Sequence, residues 1–225
     1  WHKSIGGYHA AKLRRYQEVI EAHIVPEMSR LQSAIVRNGG DLSSVNADSL
    51  YPVLNMLNMK YILMKNNKEE KVPVFNPSAM GNGWFVQSIK WVDNADDELA
   101  FIGQENLRSV AVVDSKFKET LGLEQPVPSS NGKVKLVGYE ANQLRYEVES
   151  KDGGVVVFSD IYYPGWTATV SGEDTPVARA NYILRAINVP AGKHEVVMTF
   201  DPQTVHTTEA IAYTALILLA LITLA

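Results

Sequence analysis

Residues 155–200 read VVVFSDIYYPGWTATVSGEDTPVARANYILRAINVPAGKHEVVMTF, and this stretch decides the fold of the C-terminal part. Short runs rich in Val, Ile, Thr and aromatic residues alternate here with turn signals such as Pro164-Gly165 and Ser171-Gly172. With two earlier runs, the predicted strands cover residues 134–139, 144–149, 155–159, 166–170, 183–189 and 195–200. Strands at this regular spacing predict an antiparallel β-sandwich over residues 133–203, Ig-like or jelly-roll-like.

The part before this stretch mixes helices and strands. Apolar residues three to five apart predict helix over residues 1–37, with a second helix that begins at Pro26 and ends at Asn38-Gly39-Gly40. Strands are predicted at residues 61–64, 72–75, 84–92 and 109–113. Asp93 or Asn94 caps a further helix that runs to about Ile102, with acids in its first turn.

Residues 124–132 hold two Pro, two Ser, an Asn and a Gly, a composition typical of a linker. The expected fold class is therefore α+β, with an N-terminal mixed subdomain over residues 1–123, a linker over 124–132 and the β-sandwich over 133–203.

The C-terminal residues 210–225, AIAYTALILLALITLA, carry no charge, Gly or Pro. As a helix these residues extend about 24 Å. This is slightly short for a bilayer core, which is about 30 Å thick and needs about 20 residues. Because the run is apolar on every face, residues 204–225 are expected to be the truncated start of a transmembrane helix; the alternative is a buried C-terminal helix. With Trp1 in place of a start methionine, the chain is expected to be a piece of a longer membrane protein.

Composition excludes several classes of protein. The net charge of −4 over 225 residues argues against a nucleic-acid binder. Without cysteine, the chain has no disulfide, Cys-ligated zinc, iron–sulfur cluster or Cys nucleophile. No nucleotide-binding, zinc-protease, serine-hydrolase or Asp-x-Asp motif occurs, and no two of the five histidines lie three or four apart. The sequence therefore predicts no catalytic residue, no metal site and no cofactor.

The opening segment is basic and contains no acid in its first 17 residues. Such a helical, partly aromatic surface next to a membrane is expected to contact donor phosphates or lipid headgroups. The alternative is an ordinary solvated face that pairs with Glu18 and Glu21. The candidate contact residues are Tyr8, His9, Lys12, Arg14 and Arg15.

The turn Tyr162-Tyr163-Pro164-Gly165-Trp166 is the second candidate site. Exposed aromatic side chains stack on sugar rings or lie at a bilayer interface, so Tyr162, Tyr163 and Trp166 are candidate glycan contacts. The alternative is a structural turn in which Trp166 is a core anchor between two sheets.

Residues 158–202 resemble the C-terminal extracytoplasmic signature of the YfhO family of bacterial membrane proteins. In that family a YPGW turn, an RAN segment and a PAGKHEV hairpin precede the last transmembrane helix, and all three occur here in that order. Three earlier segments resemble the same family in the form common among Bacteroidetes. They are HKSIGGYHAAKLRRYQ at residues 2–17, NMLNMKYIL at residues 55–63 and NPSAMGNGWFV at residues 76–86.

The resemblance implies a polytopic protein of the inner (cytoplasmic) membrane, with this region on the periplasmic or extracytoplasmic side. The family is related to GT-C glycosyltransferases, which use lipid-phosphate-linked sugars and carry their catalytic acid in an early loop that these residues do not include. One hypothesis is that the region assists glycosyl transfer to a cell-envelope glycan and contacts the bilayer, a lipid-linked sugar or the glycan. The other is a non-catalytic structural or interaction domain of an envelope membrane protein. An acid in the first extracytoplasmic loop of the longer protein would favour the first.

Overall fold

The computed structural model describes residues 4–6, 13–39, 42, 47–65, 69–122 and 131–224, and its fold is α+β, as the sequence predicts. The helices are α1 (Arg14–Val19), α2 (Val25–Arg37), α3 (Ala47–Leu50), α4 (Pro52–Met56), α5 (Ala95–Phe101), α6 (Lys118–Leu121) and α7 (Gln203–Leu224). The strands are β1 (Tyr61–Lys65), β2 (Lys71–Phe75), β3 (Gly83–Phe85), β4 (Ser88–Val92), β5 (Val110–Asp114), β6 (Lys133–Tyr139), β7 (Gln143–Ser150), β8 (Gly154–Ile161), β9 (Trp166–Val170), β10 (Glu173–Thr175), β11 (Ala178–Ala180), β12 (Leu184–Val189) and β13 (Gly192–Phe200).

Two antiparallel sheets dominate the C-terminal part. The five-stranded sheet has the order β10-β9-β13-β7-β6, and the four-stranded sheet has the order β11-β12-β8-β3. Residues of both sheets share one hydrophobic cluster, in which the rings of Tyr146 and Phe158 lie 4.7 Å apart. The predicted strands of this part are therefore present, whereas the Ig-like or jelly-roll-like arrangement stays a prediction. β10 and β11 were not predicted, because three-residue strands carry too little alternation to be recognised.

The single strand predicted at residues 84–92 is wrong, because the chain changes sheets within it. β3 pairs with β8, whereas β4 pairs in parallel with β5. Between them, the backbone N–H of Val86 donates to Val155 and that of Gln87 donates to Ser109. These two bonds turn the chain from one sheet to the other.

Strand β8 is buried on both faces. Val156 and Phe158 belong to the cluster between the two sheets, whereas Val155 and Val157 belong to a second cluster shared with the helices. The predicted parts 1–123 and 133–203 consequently share the four-stranded sheet, to which residues 83–85 also contribute a strand. Most of the predicted linker, residues 123–130, lies outside the described residues.

The helix predicted to begin at Pro26 is continuous with α1. A π-helical turn (Ile20–Ile24) joins α1 to α2, with the N–H of Val25 donating to the carbonyl of Ile20. The wider turn accommodates the proline, which lacks an N–H and would crowd a regular preceding turn. The predicted stop holds, since α2 ends at Arg37.

The acids at residues 96–98 begin α5, as predicted. The side-chain oxygen of Asn94 accepts a hydrogen bond from the N–H of Asp97 at 2.8 Å. This cap fixes the first turn of α5 and the inward direction of Glu98, which is fully buried.

Glu27 of α2 is a buried carboxylate that holds the start of α4. Its two oxygens accept hydrogen bonds from the N–H groups of Val53 and Leu54 at 3.1 and 2.9 Å. Burial raises the pKa of Glu27 to about 7, although both backbone bonds lower it. The folded state therefore binds this proton more tightly than the unfolded chain.

Because the pKa of Glu27 is raised on folding, its contribution to stability is complete at pH values below its ordinary pKa and is lost as the pH rises through about 7. The free energy of unfolding should fall by at most about 3 kcal/mol from this source between pH 4 and pH 8. Glu27→Gln should be less stable at low pH, since its amide leaves one N–H unpaired, but should show a flatter pH dependence. Equal slopes for the two chains in urea unfolding would contradict this assignment.

Helix α7 leaves the rest of the fold. Residues Gln203–Thr223 are long and apolar enough to cross a membrane, and none of the helix's most apolar window is buried. The 22 residues of α7 extend about 33 Å, and the uncharged run that begins at Ala210 accounts for about 22 Å of this length. The alternative of a buried C-terminal helix is therefore wrong.

A chain that ends at Asp201 should remain folded and soluble without detergent, because α7 buries no core residue. Cooperative thermal unfolding, followed by circular dichroism, provides the measurement. Loss of the cooperative transition in the shortened chain would show that α7 is needed for the core.

Candidate functional site

The structure describes two of the five predicted phosphate-contact residues. Tyr8, His9 and Lys12 lie outside the described residues. The Nε of Arg14 lies 3.0 Å from the carboxylate of Glu18, one helical turn away, and its side chain is 93% exposed.

Arg15 points into the fold. Its Nη1 lies 3.4 Å from the carboxylate of Glu98, and its guanidinium lies over the ring of Tyr182, 4.3 Å from the centroid. Arg14 and Arg15 are thus neighbours in sequence with different surroundings: Arg14 stays at the surface, whereas Arg15 connects α1 to α5 and to the turn between β11 and β12.

Glu98 is the centre of a group that we call the charge cluster: Arg15, Glu98, Asp114, Arg179 and Tyr182. The buried carboxylate of Glu98 accepts hydrogen bonds from Nη2 of Arg179 at 2.8 Å and from the backbone N–H of Tyr182 at 3.1 Å. The same Arg179 nitrogen lies 3.4 Å from Asp114. Two arginines therefore meet two carboxylates, and the central pair, Glu98 and Arg179, is buried.

The pKa values around the charge cluster follow from these contacts. Burial raises the pKa of Asp114, but hydrogen bonds from Lys116 and the charges of Lys116 and Arg179 outweigh it and hold this pKa below its ordinary value. The Tyr182 hydroxyl donates to Glu18 at 2.5 Å, which lowers the pKa of Glu18. Burial, followed by this bond, raises the pKa of Tyr182 to about 12. Asp114 and Glu18 thus stay ionised at neutral pH and act as hydrogen-bond acceptors.

Asn181 joins two sheets that share no strand. It has a left-handed backbone, with a φ of 48°. Its N–H donates to the carbonyl of Val112 at 2.7 Å, and its side-chain oxygen accepts from the N–H of Val112 at 2.9 Å. The asparagine therefore imitates a paired strand residue beside β5. Asn is one of the few residues that adopt this conformation readily.

The sequence pattern did not assign these roles. Arg179 and Asn181 were recognised only as part of the RAN motif, and Glu98 only as an acid in a helix start. Their partners lie more than 60 residues away in the chain, so no local spacing reveals them. The signal available from sequence was the RAN motif itself, in which the first and third residues bind different elements.

The turn at residues 162–166, which we call the aromatic turn, places its two tyrosines in different environments. The ring of Tyr162 lies 6.0 Å from that of Phe117, and its N–H donates to the carbonyl of Ile183 at 2.7 Å. Tyr163 is 46% exposed, and its ring lies 6.1 Å from Phe200. The structure therefore does not place the two tyrosines on one platform.

Trp166 is half-buried at the start of β9, between Arg185 and Phe200. The guanidinium of Arg185 lies 3.8 Å from the indole centroid, and the ring of Phe200 lies 5.3 Å from it. Arg185 is buried, and its Nε donates to the carbonyl of Ile161 at 3.0 Å. We call the three aromatic residues Tyr163, Trp166 and Phe200 the base cluster, because they lie at the base of the fold, where the chain leads into α7. It has one packed side against Arg185 and one side open to the surroundings.

Gly165 connects the aromatic turn to α7. Its carbonyl accepts a hydrogen bond from the N–H of Asp201 at 2.9 Å. Its φ of 104° favours glycine, and a Cβ added there would lie 2.7 Å from the Cβ of Pro202. Any larger residue would push the turn away from the chain that leads into α7.

The charge cluster and the base cluster lie at the same end of β8. Tyr182, which stacks on Arg15, is followed by Ile183, whose carbonyl accepts from Tyr162. Gly165, three residues after Tyr162, accepts a hydrogen bond from the N–H of Asp201 in the segment before α7. α1 and α7 therefore approach the fold through neighbouring parts of one end of the four-stranded sheet. Among the described residues, no group of three His, Cys, Asp or Glu side chains could hold a metal ion.

Glu98→Gln should lower the free energy of unfolding by about 3 kcal/mol, because it leaves the buried Arg179 partly unpaired. The matched control is Asp96→Asn on the exposed side of the same helix, which should change stability by less than about 0.5 kcal/mol. Urea unfolding of the chain in detergent micelles measures both. If the two variants are equally stable, the charge cluster does not hold the fold together.

The comparisons with known proteins agree with the C-terminal motifs at residues 158–202. The family model described as bacterial membrane protein YfhO matches residues 119–212. No curated protein and no solved structure matches the chain. The match covers the aromatic turn, the RAN segment, β6 to β13 and the first turns of α7. The Bacteroidetes form stays a prediction. Over residues 119–212, less than half of its length, the chain thus matches the family of bacterial membrane proteins that its C-terminal motifs predict.

Proposed function

We propose that this chain is an extracytoplasmic domain of a polytopic inner-membrane protein and assists GT-C-type glycosyl transfer from a lipid-phosphate-linked sugar to a cell-envelope glycan. The observation that carries the proposal is the common end of the fold at which α1 and α7 arrive. If α7 enters the bilayer, Arg14 of α1 lies on the membrane side of the fold, near the phosphates of lipid-linked donors.

The two described arginines then have different roles. Arg14 is exposed, and its pair with Glu18 is a surface ion pair of small energy, so a phosphate can compete for its guanidinium. Arg15 is held by Glu98 and Tyr182, so we assign it to fixing α1 rather than to binding. Lys12 and Arg14 are the proposed phosphate contacts, with Tyr8 and His9 beside them in sequence. The catalytic acid is proposed to come from the membrane part of the longer protein.

The second candidate is a structural domain without a part in sugar transfer. One observation favours it: Arg15, Glu98, Asp114 and Arg179 pair with one another inside the fold. Each of these charges therefore has a partner of opposite sign in the fold without a ligand. The two candidates therefore differ in what Lys12 and Arg14 do.

The test replaces Lys12 and Arg14 by Gln in the longer protein. Membranes that contain it are supplied with polyprenyl-phosphate-linked radiolabelled sugars, and incorporation into envelope glycan is measured. We expect a several-fold loss of incorporation with an unchanged unfolding transition, because exposed charges contribute little to stability.

The matched control is Lys133→Gln with Lys151→Gln, two cations at the opposite end of the β6–β7 pair from the aromatic turn. Unchanged incorporation in the Lys12/Arg14 variant would exclude these residues as donor contacts. If the unaltered protein transfers none of the sugars, the structural alternative is favoured.

A further inference from the structure

We propose that the base cluster lies in the headgroup layer of the phospholipid bilayer that α7 enters, and that it fixes the height and tilt of the fold above the membrane. The proposal requires α7 to be in the bilayer but does not depend on glycosyl transfer. It assigns the exposed aromatic side chains a lipid surface as partner.

The base cluster is attached to α7 without a flexible linker. Phe200 is the last residue of β13 and is paired with Trp166 of β9. Only Asp201 and Pro202 separate it from the first residue of α7. Both are held by the aromatic turn, Asp201 through its bond to Gly165 and Pro202 through close packing. The position of the helix therefore determines the position of the cluster.

The length of the polar start of α7 sets the height of the cluster. The uncharged apolar run begins at Ala210, directly after Glu209. From Gln203 to Ala210 the helix rises about 10 Å, at about 1.5 Å per residue. Because the headgroup regions add about 10–15 Å in total to a hydrocarbon core of about 30 Å, each layer is about 5–8 Å thick. Side chains that extend from the base of the fold toward the membrane therefore reach the outer part of the headgroup layer.

The chemistry of the cluster suits this layer. Tyr and Trp combine an apolar ring with a hydrogen-bonding group and are enriched at membrane–water interfaces. The hydroxyl-bearing ring of Tyr163 is 46% exposed. On the side away from solvent, Arg185 stacks on Trp166, and this contact holds the indole in one orientation. An aromatic surface with a fixed indole orientation thus lies beside the point where the chain continues into α7.

Single-cysteine labelling tests the proposal, since the chain has no cysteine of its own. Tyr163→Cys carries an environment-sensitive fluorophore in the full chain, reconstituted into phosphatidylcholine vesicles with or without lipids that bear a nitroxide on the headgroup. We expect the nitroxide lipids to remove about half or more of the emission. Thr167→Cys, an exposed position next to Trp166, provides a second label that keeps the base cluster intact.

The control is Lys151→Cys, an exposed position just before the start of β8. It lies about 23 Å or more from the aromatic turn along that strand, so its emission should change little. Equal quenching at both ends, or none at residues 163 and 167, overturns the proposal. A response to soluble envelope oligosaccharides without quenching by the lipids also overturns it and assigns the surface to a glycan.

The result is independent of the test of sugar transfer. Quenching at residue 163 together with full donor use by the Lys12/Arg14 variant would leave the membrane contact standing and remove the proposed function. The opposite pair of results would remove only the membrane contact.

Discussion

Burial of β8 on both faces is the constraint on which the structure depends. Val156 and Phe158 pack between the two sheets, and Val155 and Val157 pack against the helical part. Each such side chain contributes about 1.5–3 kcal/mol when it is removed from water, so neither neighbour can leave without exposing half of the strand. The family motifs at residues 162–166 follow directly after this strand, so the rigid centre of the fold positions the turn.

The charged residues complete what β8 begins. Apolar packing holds the sheet to the helices but does not specify the direction in which α1 approaches. The bonds from Glu98 to Arg179 and to the backbone of Tyr182, with Arg15 stacked on the Tyr182 ring, supply that direction. A buried ion pair contributes little net stability when compared with apolar residues, but its geometry is demanding. We therefore assign this cluster to orientation: it brings α1 to the end of the fold from which α7 departs.

The sequence predicted the features that depend on local pattern and missed those that depend on distant partners. The alternation of apolar and polar residues located β6 to β9, and the uncharged run located α7, the candidate membrane span. Pro26 was misread because a π-helical turn can absorb a proline within a helix. The region around Val86 was misread because the change of sheet depends on bonds to Val155 and Ser109. The position of Arg15 depends on Glu98, 83 residues away, which no spacing rule connects.

The described fold is expected to open as one unit, because β8 packs against both parts of it. Native-state hydrogen exchange of the full chain in lipid nanodiscs tests this most directly. The amides of β8 and β12 should open with the same free energy as those of β5, since β5 is joined to the four-stranded sheet through Asn181. If β6 to β13 keep their protection while β5 and the helices exchange freely, the two parts fold independently, and the account is wrong.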